Sequence, residues 1–335
     1  MTTLGHVIVP YPASNSTVRT RALRWIERAV AAGQVSHGDV VVHGPGLPDA
    51  RVEPGKPTLL IRNARRITRG RFEAGLLRAA SPGVYDLDDG LPWDNGILPG
   101  LGHWTKRPFP RSLLAKRAAS AADRVVVGNQ VLADWAANHC ADVRVIPTCV
   151  EPNDYSVRTE WEIGGAPRLG WIGSPATEGY LADIATPLAE VHRRTGARLE
   201  IVSGPGDVPD VMAPFTERTP WSIESTRHIA AWDIGLMPLR DGVYERAKCG
   251  YKLLQYAASG VPAVGSPIGV NREILSAMDG LAPESAADWV DAVCSLLDES
   301  AERRAARAAA GLTVSSSYSY DQWHDAFIDA VGWGA

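Results

Sequence analysis

The sequence predicts an α/β protein made of two doubly wound parallel sheets, each wrapped by helices. Three observations carry that expectation. Short apolar runs alternate with helix-period stretches along the chain, the order that lays helices on both faces of a parallel sheet. The alternation pauses in a polar, Gly-bearing stretch from Pro152 to Pro167 and then restarts, so that stretch reads as a linker. The 335 residues exceed one ordinary core and suit two domains of about 150 residues each.

In order, His6-Val-Ile-Val is the first strand, and a helix is expected over 17–32 with Val18, Ala22, Trp25, Ile26 and Val30 inward and Gly33 as its stop. Strands follow at 39–43 and 58–61, another ends among Asp86, Asp88 and Asp89, then come a helix at 112–122, a strand at 123–128 and Asn129 as N-cap of a helix over 131–139. Val143 to Thr148 closes the first half. The second half opens with a strand at 168–173, a turn at 174–177 and a helix at 178–195. A strand at 198–204, a helix at 224–232 and the strand 234–239 come next. After a polar loop, Tyr251, Leu254, Ala257 and Ala258 recur at helical spacing until Gly260, and 261–265 is the last strand. Helices over 285–297, 301–310 and 320–331 end the chain, the last with Trp323, Phe327 and Val331 on one stripe.

Composition removes several function classes. The chain is 45% hydrophobic and 21% charged with a net charge of −4, an ordinary enzyme balance that argues against a nucleic-acid binder. The basic cluster from Arg62 to Arg71 reads as a solvated face, with membrane or phosphate binding as the other reading. Cys140, Cys149, Cys249 and Cys294 show no C-x-x-C spacing, so neither a disulfide framework nor a zinc site is expected. No run is long and apolar enough to span a membrane and no leader precedes the first strand, so a soluble cytoplasmic protein is expected. The first strand is not followed by G-x-G-x-x-G, which counts against nicotinamide and flavin.

The chemistry concentrates between Asp233 and Glu273. Only five of the 34 Lys and Arg residues are Lys, and two of them, Lys248 and Lys252, fall in the loop and first helical turn here. Like charges four residues apart repel, and cations at a helix N-terminus oppose its dipole. A bound anion relieves both, with the N–H groups of Cys249, Gly250 and Tyr251 as further donors. A solvated basic face is the plain alternative. Gly173 and Ser174, at a strand-to-helix turn, are small enough for backbone N–H groups to approach a phosphate, though a tight turn without ligand needs the same residues.

This stretch resembles the donor-binding segment of retaining glycosyltransferases of family four, the group 1 transferases, whose fold is GT-B. Gly260-Val-Pro262-Ala-Val264 is similar to the family's Gly-x-Pro-Val strand, and Gly269-Val-Asn-Arg-Glu273 to its Gly-Gly-x-x-Glu turn with the second Gly lost. The family's Glu-x7-Glu pair falls on Ala247 and Gln255. Gln255 can bond a ribose diol through its amide, Ala247 can bond no sugar, and Glu245 is the stand-in for sugar binding. A branch of the family has Lys-Cys-Gly-x-Lys-Leu-Leu-Gln-Tyr in this place. Ile146-Pro-Thr-Cys-Val-Glu151 is similar to the family's Ile-Pro-Asn-Gly-Val-Asp.

The resemblance implies an acceptor-binding domain at 1–155, a donor domain at 166–318, a last helix at 319–335 crossing back onto the first domain, and a cleft between the two. It implies Lys248, Cys249, Gly250, Tyr251 and Lys252 with Gly173 and Ser174 on the diphosphate, since the family's Arg and Lys after the first strand of this domain are replaced. Lys252 also counts among the catalytic residues, for the charge it sets against the leaving diphosphate. Trp221 and Ser203 join Gln255 around the base and ribose; Trp221 reads equally as a core residue. Neither cofactor nor metal is implied; UDP is the expected nucleotide, from its frequency in the family, and N-acetylglucosamine the expected sugar.

In the first half, Asp86, Asp88 and Asp89 crowd one strand end, where they repel one another. A catalytic base, an acceptor-hydroxyl clamp, a divalent-metal site and a solvated turn are the readings. The resemblance implies metal independence, so Asp88 and Asp89 are expected in catalysis and Asp86 and Trp93 at the acceptor. Arg19 and Arg21, near the first strand's carboxyl end, read as reaching a phosphate or the acceptor, with a surface role as the equal alternative. His103 is the nearest His to the position where the family has one, and is a further catalytic candidate. The expected partners are a nucleotide-diphosphate sugar and a small-molecule or glycan acceptor. An inactive GT-B nucleotide-binding protein, or a nucleotide-sugar epimerase or hydrolase, is the alternative.

Overall fold

The computed structural model describes residues 4–45, 52–65, 68–94 and 110–334. The chain forms two compact units, one of Met1–Thr148, Gly242–Cys249 and Tyr320–Ala335, the other of Cys149–Asp241 and Gly250–Ser319.

The first unit holds a six-stranded parallel sheet of β1 (Gly5–Ile8), β2 (Val40–His43), β3 (Thr58–Ile61), β4 (Gly83–Leu87), β5 (Arg124–Val127) and β6 (Val143–Val145), in the order β2-β1-β3-β4-β5-β6. The winding reverses between β1 and β3, so the loops beyond their carboxyl ends part there. Leu59, Leu60, Ile61, Val84, Tyr85 and Val125–Val127 are all buried, as expected for strands covered on both faces.

Residues 16–31 run as one helical stretch whose middle, Arg19–Leu23, is a π turn. The wider turn shifts the inward face, so Arg21, Ala22, Trp25 and Ala29 are buried while Ile26 and Val30 are only partly covered. The helix Tyr320–Val331 closes over this stretch: Phe327 stacks on Trp25 with ring centroids 4.2 Å apart, and the Tyr320 hydroxyl donates to the Thr20 carbonyl at 3.1 Å.

The second unit holds β7 (Arg168–Ile172), β8 (Arg198–Ser203), β9 (Thr216–Pro220), β10 (Ile234–Met237) and β11 (Ala263–Gly265), all parallel, in the order β11-β10-β7-β8-β9. Its reversal falls between β7 and β10. Both sheets match the expected doubly wound class. Strand β9 is absent from the sequence expectation because Thr-Glu-Arg-Thr-Pro has no apolar alternation; it is an edge strand, where polar residues discourage pairing with another chain. The helix expected over 178–195 is two, Gly179–Asp183 and Ala185–Thr195, broken at Ile184 with φ −110°. Pro187 is the cause, since its ring excludes the carbonyl four residues back.

Gly170 and Gly235 are register partners on β7 and β10. A Cβ on Gly170 would lie 1.8 Å from the Trp232 ring, and one on Gly235 2.5 Å from Tyr256. These glycines seat two buried aromatics against the sheet. Trp232 in turn donates from Nε1 to the buried Glu200 carboxylate at 2.7 Å. Gly170→Ala is therefore expected to lower stability by about 1–3 kcal/mol through overpacking; an unchanged urea midpoint would show that Trp232 moves aside at no cost.

Candidate functional site

In the second unit the switch point brings together the loop after β7 and the helix Tyr251–Ala258. Gly250 opens that helix in the left-handed region at φ +65°, where a Cβ would also meet Ile274 Cδ1 at 2.5 Å. Lys252 lies one residue into the helix. Its ammonium is 5.0 Å from the centroid of the buried Trp171 ring, and its Cε lies 2.9 Å from where a Gly173 Cβ would be. The stem of Lys252 thus lies along the β7 loop, so Gly173 is small because Lys252 and Trp171 fill the space of its side chain.

Of the two small residues in this loop, only one has its N–H to offer. The Gly173 N–H is spent on the Val202 carbonyl at 3.0 Å. Ser174 is exposed, and among the described residues no acceptor meets its N–H. Its carbonyl accepts from the N–H and the hydroxyl of Thr177, both at 2.9 Å. Ser203, the last residue of β8, is buried, and its carbonyl accepts from the Trp221 N–H at 2.9 Å. Trp221 is 37% exposed, which places it on the surface, outside the core. Gln255 lies three residues after Lys252 on the same helix and is buried. The Tyr251 hydroxyl meets that of Tyr155 at 3.3 Å.

In the first unit a charged ladder runs along the carboxyl end of β4. Asp86 and Arg21 are both fully buried, joined by contacts from Arg21 Nε at 3.0 Å and Nη2 at 2.5 Å; Arg21 Nη1 also donates to the carbonyls of Ile146 and Pro147. Asp86 therefore binds the core together and has no surface to give an acceptor, which corrects the sequence expectation for it. Arg62, at φ +56°, donates from Nε to Asp88 at 2.6 Å and lies 3.5 Å from Asp89. A non-glycine residue in that region is strained, and such strain gathers at functional sites.

Asp89 is the best-served carboxylate. Lys248 Nζ lies 3.4 Å from it, the Tyr244 hydroxyl donates at 3.3 Å, and the Gly90 N–H donates at 2.9 Å. Burial works to raise its pKa, but the Lys248 ammonium and the Arg62 guanidinium outweigh burial and hold it down to about 2. A group that acidic is an anchor for hydroxyls and a weak general base. With a cation beside each of Asp86, Asp88 and Asp89, the arrangement is also unlike a divalent-metal site, and among the described residues no three His, Cys, Asp or Glu side chains gather to hold a metal ion.

Because the folded pKa of Asp89 lies below the unfolded one, its contribution of about 2 kcal/mol is present above pH ~4 and fades as the pH falls toward 2. Asp89→Asn is expected to remove that acid-limb dependence from urea unfolding. An identical pH profile in the variant would separate the ladder from stability.

Residues 242–249 belong to this unit although their chain neighbours lie in the other. Asn129, besides accepting from the Leu132 N–H as N-cap, donates from Nδ2 to the carbonyls of Ala247 at 2.8 Å and Lys248 at 3.2 Å. Ala247 is fully buried in the apolar core of this unit, where a carboxylate would be unsolvated. The Cys249 thiol is buried, faces the Asp88 carbonyl at 3.2 Å and is pushed up to about 12 by burial and by Asp88. Lys248 and Cys249 thus make their contacts with the ladder, and Lys252 makes its own in the second unit. Glu245 lies in the short helix Val243–Arg246. Arg19, in the π turn, and Trp93, in the single turn Leu91–Trp93, are half-buried. His103 lies outside the described residues. Tyr244 and Asn129's hold on 247–248 had no signal in the sequence, since each depends on neighbours far apart in the chain; Arg62, expected on a solvated basic face, is instead largely buried against Asp88.

Compared with known proteins, residues 166–299 match the family described as Glycosyl transferases group 1. No curated protein matches the chain. Among solved structures, a UDP-forming α,α-trehalose-phosphate synthase from Burkholderia vietnamiensis is similar at TM-score 0.67 and 11% identity, over 100% of this chain and 98% of that one. WaaG, a glycosyltransferase involved in lipopolysaccharide biosynthesis, is similar at TM-score 0.64 and 14% identity over 98% of this chain and 99% of that one. A point mutant of S. aureus TarM, in complex with fondaparinux, alpha-GlcNAc-glycerol and UDP, is similar at TM-score 0.56 and 13% identity; the match takes in 82% of this chain and 55% of that one. These likenesses show the two-sheet fold of GT-B glycosyltransferases.

Proposed function

We propose that this chain, an enzyme that belongs to the group 1 glycosyltransferases through its domain at residues 166–299, moves a sugar from a UDP-sugar to an acceptor hydroxyl or amine with retention of configuration. The second unit holds the donor and the first the acceptor. The observation that carries the donor site is the placement of Lys252 along Gly173 at the switch point of the second sheet. UDP is supported by the neighbours in the fold, one of which is UDP-forming and another bound to UDP. N-acetylglucosamine as the sugar rests on the TarM complex.

As the bond from sugar to diphosphate breaks, negative charge grows on the leaving oxygens. Lys252, the Ser174 N–H and the first turn of the helix opened by Gly250 meet that charge as fixed donors that need no reorganisation. Gln255, on the same helical face, bonds the ribose and Trp221 stacks on the base. Acceptor hydroxyls bond to the Asp88 and Asp89 carboxylates, which Arg62 and Lys248 hold in position. Glu245 serves the sugar. In retaining transfer of this kind the acceptor attacks the face the diphosphate leaves, and a diphosphate oxygen takes its proton, so a carboxylate as acidic as Asp89 need not be the base.

No metal enters this scheme, in line with the family's usual metal independence. Calorimetric titration with UDP, GDP, TDP and NAD, with and without EDTA, tests it. Micromolar binding of UDP that EDTA leaves unchanged is the expected result, followed by transfer of radiolabel from UDP-N-acetylglucosamine to an acceptor. Binding that EDTA abolishes would return Asp88 and Asp89 to a metal role. The burial of Ala247 where the family has a carboxylate favours one second reading, an inactive nucleotide binder. Tight UDP binding with no transfer to any acceptor tried, and no release of free sugar, would select it.

A further inference from the structure

We propose that Arg218 is a positioning residue for the donor site: from the edge strand β9 it holds the turn after β7 in the shape that meets a diphosphate. The inference rests on the donor reading above. Arg218 is the register partner of Ile201 on β8, and its guanidinium reaches past β8 to Glu178, which follows the turn Pro175–Thr177. The pair is bidentate, Nη1 to Oε1 at 3.0 Å and Nη2 to Oε2 at 2.9 Å, and Nη1 also donates to the Gly204 carbonyl at 2.8 Å. One planar fork thereby ties the loops after β7 and β8 to β9.

The surrounding packing shows that this junction is closely fitted. A Cβ on Gly204 would fall 2.9 Å from Pro175 Cγ, and one on Gly206 would fall 3.1 Å from Glu178 Oε2. The loop after β8 therefore lies close against Pro175 and Glu178 of the β7 turn. Glu178 is 12% and Arg218 23% exposed, so the pair is partly desolvated. Such a pair adds little net stability over apolar packing, and its strongest effect is on geometry. A pocket of about 260 Å³ opens beside it, lined by Pro175, Glu178, Gly206, Asp207 and Val208 among others, so the turn is not backed by close packing on that side. What the pair fixes is the segment that begins at Gly173 and Ser174. On its other flank that segment carries the Lys252 stem. Freed of Arg218, the turn would still fold, but the Ser174 N–H and Lys252 would no longer be held to one phosphate position.

Titration of the full chain and of its Arg218→Met, Arg218→Lys and Glu178→Gln variants with UDP and with uridine tests this. Wild type is expected to bind UDP, and Arg218→Met and Glu178→Gln to bind it about tenfold more weakly, as for a lost hydrogen bond to a charged group. Uridine affinity is expected to change by less than about twofold, and Arg218→Lys to recover only part, because an ammonium lacks the fork. A general loss of structure would weaken both ligands together, so equal losses, or none, overturn the inference. Should Arg218→Met not fold, the neutral, nearly isosteric Glu178→Gln supplies the comparison. If wild type itself binds no nucleoside diphosphate, the donor reading falls and takes this inference with it. Tight wild-type binding with unaffected variants removes Arg218 alone.

Discussion

Arg21→Met is expected to lower the unfolding free energy by about 3–5 kcal/mol, the cost of leaving a buried carboxylate without its cation. Arg21 and Asp86 are both without solvent exposure, and Arg21 also satisfies the carbonyls of Ile146 and Pro147. Removing it strands one charge and two acceptors at once. Burial already pushes the Asp86 pKa up against the pull of Arg21, so in the variant the carboxyl takes a proton on folding and part of the loss becomes pH-dependent. Adding Asp86→Leu to Arg21→Met is expected to recover much of the stability, since a pair replaced by apolar groups leaves no charge behind. Urea unfolding of the two single variants and the double variant reads this. A single variant as stable as wild type would mean that water reaches Asp86.

Lys252→Ala is expected to weaken UDP binding by about a hundredfold, or roughly 2.7 kcal/mol, while uridine binding stays within about twofold. The asymmetry is the informative part. Lys252 is a point charge beside the turn at Gly173 and Ser174, so its loss should be felt by the phosphates and not by the base. In turnover, kcat is expected to fall along with kcat/KM, because charge on the diphosphate is greater at the transition state than in the bound donor. Equal losses for UDP and uridine would take Lys252 out of the phosphate site. A rise in KM with kcat unchanged would confine it to binding.

Strand runs such as Thr58–Ile61 and Ile234–Met237 were legible in the sequence because strands buried on both faces are apolar throughout. Asn129 was legible as an N-cap because capping is local chemistry, and it does accept from Leu132. The family resemblance was legible from short motifs between Asp233 and Glu273, and residues 166–299 match the family. Strand β9 was not, because an edge strand is specified by its neighbour β8 and need not be apolar. On 16–31 the sequence placed Val18, Ala22 and Trp25 inward correctly but missed Arg21 and Ala29 and overrated Ile26 and Val30, because a π turn leaves no mark on composition.

Most of the strands and helices, the doubly wound class and the family resemblance of residues 166–299 could be read from the chain alone. All of these follow from periodicity and short motifs, which act over a few residues. The partners of the charged groups, Asp86 with Arg21, Asp89 with Lys248 and Arg218 with Glu178, appear only once the chain is folded. Those pairs span from 40 to 159 residues of chain. A charge's energy depends on what surrounds it in space, and that is set when the strands are laid side by side.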